Sequence, residues 1–411
     1  KEVGSGITIM GYAGITSYDP APHSIDIFHE TSIEQIQANL ATKTCPITTS
    51  LAGVNATPVI APLSSYTIPM STPFYLTGTA TDADGDPLTY CWEQNDNHGG
   101  QTAANSVAYA AKPVGPNYLT FQASANNTRL LPKLSTILNG LLITPTQGGD
   151  AVCNVEALSN VSRTLNFRLT VRDNRPYNSN PPVAVAQTEF ADMVVTVTNT
   201  AGPFQVTAPN TNVSWQAGST QTVTWLVNGT NAGSVNCANV KISLSTDGGN
   251  TFPTVILAST PNDGTESITV PTVAATTTAR IKIEAVGNIF FDISNSNFTI
   301  TQPVGFSFNA TTAATSACPA AATMSVNLGT TAYNGFNTPI ALSASGNPAG
   351  TTVSFSPNPL TPGATASVTL NNTNNLAFGT YNITVTGVAG ATVSSTAVTY
   401  VINSGSAPVI T

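Results

Sequence analysis

The sequence predicts a mainly β protein: tandem Ig-like β-sandwich modules preceded by a short turn-plus-helix segment. Apolar and polar residues alternate in short runs, as where Leu165, Phe167, Leu169 and Val171 interleave with Asn166, Arg168 and Thr170. Clusters of Gly, Pro and Asn separate these runs at the spacing of sandwich strands. Hydrophobic residues make up 41% of the chain and charged residues only 8%, a balance that suits a secreted sandwich with neutral polar loops and does not suit a disordered chain. At 411 residues the chain is long enough for three or four modules, each burying its own core.

Residues 1–45 read as a turn, an irregular segment and a helix. Thr31 and Ser32 supply hydroxyl caps ahead of Glu34 and Gln35, and Ile33, Ile36, Gln37 and Leu40 form a mostly apolar face at helical period. A single helix cannot cover that face, so this segment must pack on the next module or be poorly ordered. Residues 46–57 form a linker. An Ig-like or cadherin-like sandwich follows over 58–199. Within it Phe74, Leu76 and Gly78 lead through the Asp84-Gly85 turn to Leu88, Tyr90 and Trp92, which predicts a hairpin. Residues 94–150 read as a long insertion with one short helix at 134–138. After a hinge at 199–203 come a fibronectin-like or Ig-like sandwich over 200–301, a charge-free Ig-like sandwich over 302–403, and a polar tail at 404–411.

Charge narrows the function classes. A net charge of −8 without clustered Lys and Arg disfavours a nucleic-acid partner. No apolar run reaches the ~18 residues of a membrane-spanning helix. The chain opens on Lys1-Glu2, without an initiator methionine or a charged-then-apolar leader, so its start is expected to be a processing product or a truncation. After Asp292 there is no Asp, Glu, Lys, Arg or His. Like-charge repulsion ordinarily keeps sheet edges apart, so the last module is either a neutral spacer or a surface for self-association.

The five cysteines, Cys45, Cys91, Cys153, Cys237 and Cys318, show no metal or redox spacing. Cys91 and Cys153 fall in one module and are the expected disulfide. Cys45 has no evident partner, and Cys237 and Cys318 read as buried small hydrophobes. Asp82, Asp84 and Asp86 place carboxylates at alternate positions around Gly85, either a calcium site or a plain turn in which Asp caps its own backbone. Asp247-Gly248-Gly249-Asn250-Thr251 reads as a structural turn. His23, His29 and His98 lack ligand spacing. No G-x-S-x-G elbow supports serine hydrolysis. Trp92, Trp215 and Trp225 are either sandwich core or a carbohydrate platform.

Three stretches carry a family resemblance. Thr8-Ile9-Met10-Gly11-Tyr12-Ala13-Gly14, followed by residues 28–36, resembles the Met-turn and closing helix of bacterial secreted metzincins of the reprolysin-like type. Residues 81–94 resemble a cadherin-like or polycystic-kidney-disease-type signature, and residues 239–252 resemble a strand entering a sialidase-type Asp-box. An ordinary buried strand and turn is the other reading of residues 8–14. The resemblance implies a zinc protease in which Met10 floors the metal site and Tyr12 approaches the zinc. This chain lacks H-E-x-x-H: His29-Glu30-Thr31-Ser32-Ile33 carries Ile where the second His should stand. It is therefore expected to be the inactive C-terminal region of an exported zinc metalloprotease, with zinc bound by the parent and not by this chain, and with modules that bind protein or cell-surface ligands outside the cell. The competing expectation is an extracellular adhesin or filament subunit that assembles through the charge-free module.

Overall fold

The computed structural model describes residues 2–11, 13–45, 47–145, 153–316 and 321–403. These form two compact units, one spanning Lys1–Trp215, Ser219–Pro271 and Thr276–Ile300, the other Gln216–Gly218, Thr272–Ala275 and Thr301–Thr411. The fold is mainly β and its sheets pair as Ig-like sandwiches.

In the first unit, four strands form one face of a sandwich in the order Tyr66–Pro69, Thr188–Thr198, Arg163–Arg172, Thr89–Gln94. Tyr66–Pro69 runs parallel to Thr188–Thr198 and the other pairs are antiparallel. Alternation places Leu165, Phe167, Leu169 and Val171 inside, against Phe74 and Tyr118. The Phe74 ring meets Tyr118 at 5.6 Å and Phe167 at 6.0 Å, both edge-on.

The hairpin expected across the Asp84-Gly85 turn does not form. Phe74–Thr77 pairs instead with Thr128–Leu131, inside the insertion, and Thr89–Gln94 pairs with Arg163–Arg172. The turn therefore joins two different sheets. Alternation set the inward faces correctly, but period alone does not choose a strand's neighbour.

The helix runs Glu30–Ala41, starting before the predicted hydroxyl caps. His29 is its N-cap, with Nδ1 accepting the Thr31 N–H at 3.2 Å. The Glu30 N–H is already taken by a carboxylate from the sandwich, Glu93, at 3.2 Å, which moves the helix start forward. Ile36 and Leu40 are exposed, so the helix docks by its N-terminal end and not by its apolar face. The chain before it packs through Val3 and Ile7 against Ala108, Leu119, Val155 and Ala157. The insertion is thus the platform for the N-terminal segment.

The next sandwich lies in the same unit. Strands Gln205–Ala208, Thr220–Leu226 and Thr265–Thr269 make one sheet; Ser214–Gln216, Phe298–Thr301, Thr276–Ala285, Asn239–Ser245 and Thr254–Pro261 make the other, with Phe291–Ile293 also paired to Thr276–Ala285. The segment predicted as a hinge is packed: Ala201 is buried and its carbonyl accepts the Met70 N–H at 3.0 Å. Tyr75 N–H donates to the Ile289 carbonyl and Phe291 N–H to the Pro73 carbonyl, at 3.0 and 2.9 Å. The short helix Leu134–Leu138 appears as predicted and buries Ile137 against Phe291 and Ile293. Each such side chain removed from water contributes ~1.5–3 kcal/mol.

The second unit pairs Gly305–Phe308, Thr323–Tyr333, Thr365–Asn371 and Thr352–Ser356 in one sheet, and Ala314–Ser316, Thr392–Ile402, Gly379–Ala389 and Ala341–Ser345 in the other. Its core includes Leu328, Ile340, Val368, Ile383, Val385 and Tyr400. The buried Tyr400 hydroxyl donates to the Val368 carbonyl at 2.8 Å. Cys318 and the 404–411 tail lie outside the described residues.

Candidate functional site

Two regions bring together residues singled out in the sequence. The first is the N-terminal segment. Thr8 to Gly11 close a turn in which the Gly11 N–H donates to the Thr8 carbonyl at 2.8 Å. A side chain at Gly11 would start 3.0 Å from the Thr8 oxygen, closer than most side chains come, so glycine eases this turn. Glu2 braces it by accepting the N–H groups of Ile7 and Thr8 at 3.0 and 3.2 Å and the Thr8 hydroxyl at 2.6 Å. Met10 is 61% exposed. Tyr12 lies outside the described residues.

Met10 edges an open cleft of about 460 Å³ whose walls include Glu2, His29, Gln35, His98 and Gln101. Sequence spacing separated His29 from His98, and the fold returns the insertion to bring both onto this wall. His29 caps the helix. Burial pushes it down to about 3, which keeps the imidazole neutral, and its Nδ1 accepts the Thr31 N–H. Nε2 is itself buried, against the Gln94 backbone.

The helix that carries His29 is held from below. Arg168 binds Glu30, Glu34 at 2.9 Å and Asp192 at 2.6 Å, and stacks over the Phe190 ring at 4.1 Å. Glu93, fully buried, accepts the Thr170 hydroxyl at 2.7 Å as well as the Glu30 N–H. Burial raises its carboxyl to about 7.

The second region is the acidic turn. Asp82, Asp84 and Asp86 each present an oxygen within 4.8 Å of the others, the one such grouping of His, Cys, Asp or Glu among the described residues. Asp82 Oδ1 accepts the N–H groups of Asp84 and Asp86, at 2.9 and 3.1 Å. Asp86 pairs with Arg175 at 3.1 Å, and Asp84 Oδ2 accepts the Ala56 N–H at 2.6 Å. All donors are hard oxygen, the set suited to calcium.

The expected Cys91–Cys153 disulfide is not made. Cys91 Sγ donates to the Phe121 carbonyl at 3.3 Å, whereas Cys153 Sγ meets the Tyr18 carbonyl at 3.4 Å beside Gly4. One module holds both thiols, but one serves the sheet and the other the N-terminal segment. Burial pushes the Cys91 thiol up to about 12, which keeps it unreactive. The tryptophans are core: Trp92, Trp215 and Trp225 are all buried, and the Trp225 indole N–H donates to Asn262 Oδ1 at 2.9 Å. No face of stacked indoles is left for sugar.

The Asp247 turn is structural, as its sequence indicates. Its carboxylate accepts the Thr251 N–H and hydroxyl at 3.0 and 2.7 Å and the Ser245 hydroxyl at 2.6 Å, while Gly248 and Gly249 take φ of +80° and +92°.

No protein-family model matches the chain, and no curated protein matches it in sequence. Among solved structures it is similar to an I-band fragment of titin, domains I67–I69, at 9% identity over 85% of this chain and 99% of that one, with a TM-score of 0.19. It is also similar to the human desmocollin-1 ectodomain, at 12% identity over 86% and 60% of the two chains with a TM-score of 0.21. Drosophila N-cadherin EC1-4 gives 12% identity over 86% and 76%, with a TM-score of 0.19. No helix among the described residues is long and apolar enough to cross a membrane.

Proposed function

We propose that this chain is the non-catalytic C-terminal region of an exported zinc metalloprotease, in which the N-terminal turn and helix close a catalytic domain and the sandwiches bind substrate protein or a cell-surface ligand. The observation that carries this reading is the mounting of residues 2–41. They are fixed to the first sandwich by the Arg168–Glu30 pair, the Glu93 cap and the Val3–Ile7 cluster, yet they leave Met10 and the helix's apolar residues uncovered. A turn built this firmly around an exposed methionine suits a floor for something laid upon it. The chain carries no H-E-x-x-H motif, so in this reading the zinc site belongs to the parent protease.

The test is immunoprecipitation from the producing culture with an antibody raised against the 302–403 module, followed by gelatin digestion with and without a zinc chelator. The reading expects a species longer than 411 residues that digests gelatin in a chelator-sensitive way. Recovery of only inactive material no longer than this chain overturns it.

A second reading, an adhesin or filament subunit, is favoured by one observation. The second unit has sheet-edge strands, such as Thr352–Ser356, in a stretch without any charged side chain. Concentration-dependent oligomers in light scattering that persist at high salt support it, and a monomer at every concentration removes it.

A further inference from the structure

The first unit holds a cleft that belongs to neither region described above. It encloses about 320 Å³ where the two sandwiches of that unit meet. Strands Tyr66–Pro69 and Phe74–Thr77 contribute to it from the first sandwich, and the turn that follows Thr276–Ala285 contributes from the second. That turn is tied down at two points: Asn288 Nδ2 donates to the Thr67 carbonyl at 2.9 Å, and the Tyr75 N–H donates to the Ile289 carbonyl at 3.0 Å. Asn288 spends its other amide end on the Ile289 N–H, at 2.7 Å. The cleft is therefore shaped before anything enters it, and preformed clefts of this size between domains are where small ligands bind.

Its lining is of two kinds. Pro62, Leu63, Met193 and Ile289 are apolar, whereas Ser64, Tyr66, Tyr75 and Thr77 bring hydroxyls. The Tyr66 and Tyr75 rings are half-buried, yet their hydroxyls are neither enclosed nor hydrogen-bonded to any described residue. Each is free to donate and to accept. Burial, then the Glu284 carboxylate and the Tyr66 phenol, raise the Tyr75 phenol above its ordinary value, so it stays a donor at neutral pH. No charged side chain lines the cleft. The charges beside Tyr75 are already used, since Lys282 and Glu284 pair with each other and Lys241 also binds Glu284, at 2.7 Å. An ionic ligand would find no counter-charge here. A wholly apolar one would strip water from two phenols and return no hydrogen bond.

We propose that this cleft binds a neutral sugar, with its C–H groups against the apolar lining and its hydroxyls on Tyr66 and Tyr75. A pyranose carries the same division, apolar C–H groups on its faces and hydroxyls around its rim. Its hydroxyls both donate and accept, as a phenol does, and it is uncharged like the lining. The volume takes a small ligand of this kind and not a folded partner. Recognition here needs no stacked indoles, since the polar contacts come from phenols fixed on two strands. The cleft is complete within this chain, so the sugar is held with or without a protease domain upstream.

Saturation-transfer NMR on the full chain tests the site, with the methyl glycosides of glucose, galactose, mannose and N-acetylglucosamine as probes and glucuronic acid as the charged comparison. At least one neutral glycoside should receive saturation at millimolar concentration, and glucuronic acid should receive less. In the wild-type chain the amide resonances of Gly287, Asn288 and Ile289 should shift as that glycoside is added, a readout that needs no variant. Tyr66→Phe and Tyr75→Phe keep the rings and remove only the hydroxyls. Each should weaken binding, and the double variant should raise the dissociation constant at least about tenfold, as the loss of two hydrogen bonds requires. Its urea midpoint should stay near that of the wild type, which separates a lost contact from a lost fold. Failure of every neutral glycoside to bind overturns the proposal. So does a preference for glucuronic acid, which would call for a counter-charge the cleft lacks. Unmoved resonances at 287–289, or undiminished binding by the double variant, would put the sugar elsewhere and overturn it equally.

Discussion

Arg168, in the middle of the first sandwich, holds Glu30, the first residue of the N-terminal helix, in a contact from which both side chains are almost wholly shielded from water. The same guanidinium also spans to Asp192 on the neighbouring strand. Helix and sheet thus share one cation, and the helix has no other buried side chain than Glu30.

Removing Arg168 therefore separates helix from sheet. Arg168→Met leaves the Glu30 carboxylate beside Glu34 and Asp192 with no positive partner, and breaking a buried pair in this one-sided way costs about 3–5 kcal/mol. Because the cost falls on a contact that the sandwich core does not need, the loss should appear first as local opening. The measurement is hydrogen exchange: amides of residues 30–41 should exchange orders of magnitude faster, while those of 163–171 change little. Equal acceleration in both would mean that Arg168 holds the sandwich itself.

The pH dependence of the first unit follows from two buried carboxyls. Burial raises Glu93 from 4.5 and Asp292 from 3.8, each to about 7. Asp292 accepts the Val206 N–H at 2.7 Å and has no cation beside it. A carboxyl with a raised folded pKa binds its proton more tightly in the folded state, so it stabilises at low pH and that contribution is lost as pH rises through about 7. His29, held near 3, acts oppositely, but only below its unfolded value of 6.5. Above that the acids act, until Lys112, which burial lowers to about 8, begins to add stability as pH rises. The urea midpoint read by tryptophan fluorescence should fall between about pH 6.5 and 7.5. Asp292→Asn and Glu93→Gln should each flatten that slope. A midpoint that climbs over this interval contradicts the assignment.

Asp247 acts alone, on a turn, and its effect should be small. Asp247→Ala deletes the acceptor for the Thr251 N–H, the Thr251 hydroxyl and the Ser245 hydroxyl, at an exposed position where water replaces part of what is lost. About 1 kcal/mol of stability should go. Thermal unfolding reads it. A loss of several kcal/mol would show that the turn anchors the strands beside it.

How much of this was legible in the sequence depended on how far apart the partners lie. Period and turn chemistry are local. They gave the inward faces of Leu165–Val171 and the short helix at Leu134–Leu138, and identified the Asp247 turn. Pairing is not local. Nothing in Phe74–Thr77 says that it will join Thr128–Leu131 and not the strand that follows it. The same gap misplaced the disulfide, because sharing a module does not bring Cys91 and Cys153 face to face. Asp82, Asp84 and Asp86 were visible as a group because they are neighbours in the chain. Arg168 looked like an outward residue of an alternating strand, and it became buried only because Glu30 came to meet it.

The second unit supplies the sharpest contrast. With no Asp, Glu, Lys, Arg or His after Asp292, its stability has no acidic or basic side chain to lose until Cys318 and the tyrosines titrate, and burial pushes Tyr400 up to about 12. Hydrogen exchange of the core strand Thr323–Tyr333 should therefore give the same opening free energy from about pH 5 to 7, once the intrinsic rate is corrected, and should ignore added salt. The first unit, carrying Glu93, Asp292 and Arg168, should respond to both. The missing charge also leaves trypsin nothing to cut: Lys282 is the last basic residue, so Ile283–Thr411 should survive as one fragment even from fully unfolded chain. A salt- or pH-dependent opening of Thr323–Tyr333 would mean that charges from elsewhere reach this unit, and its behaviour would then no longer be its own.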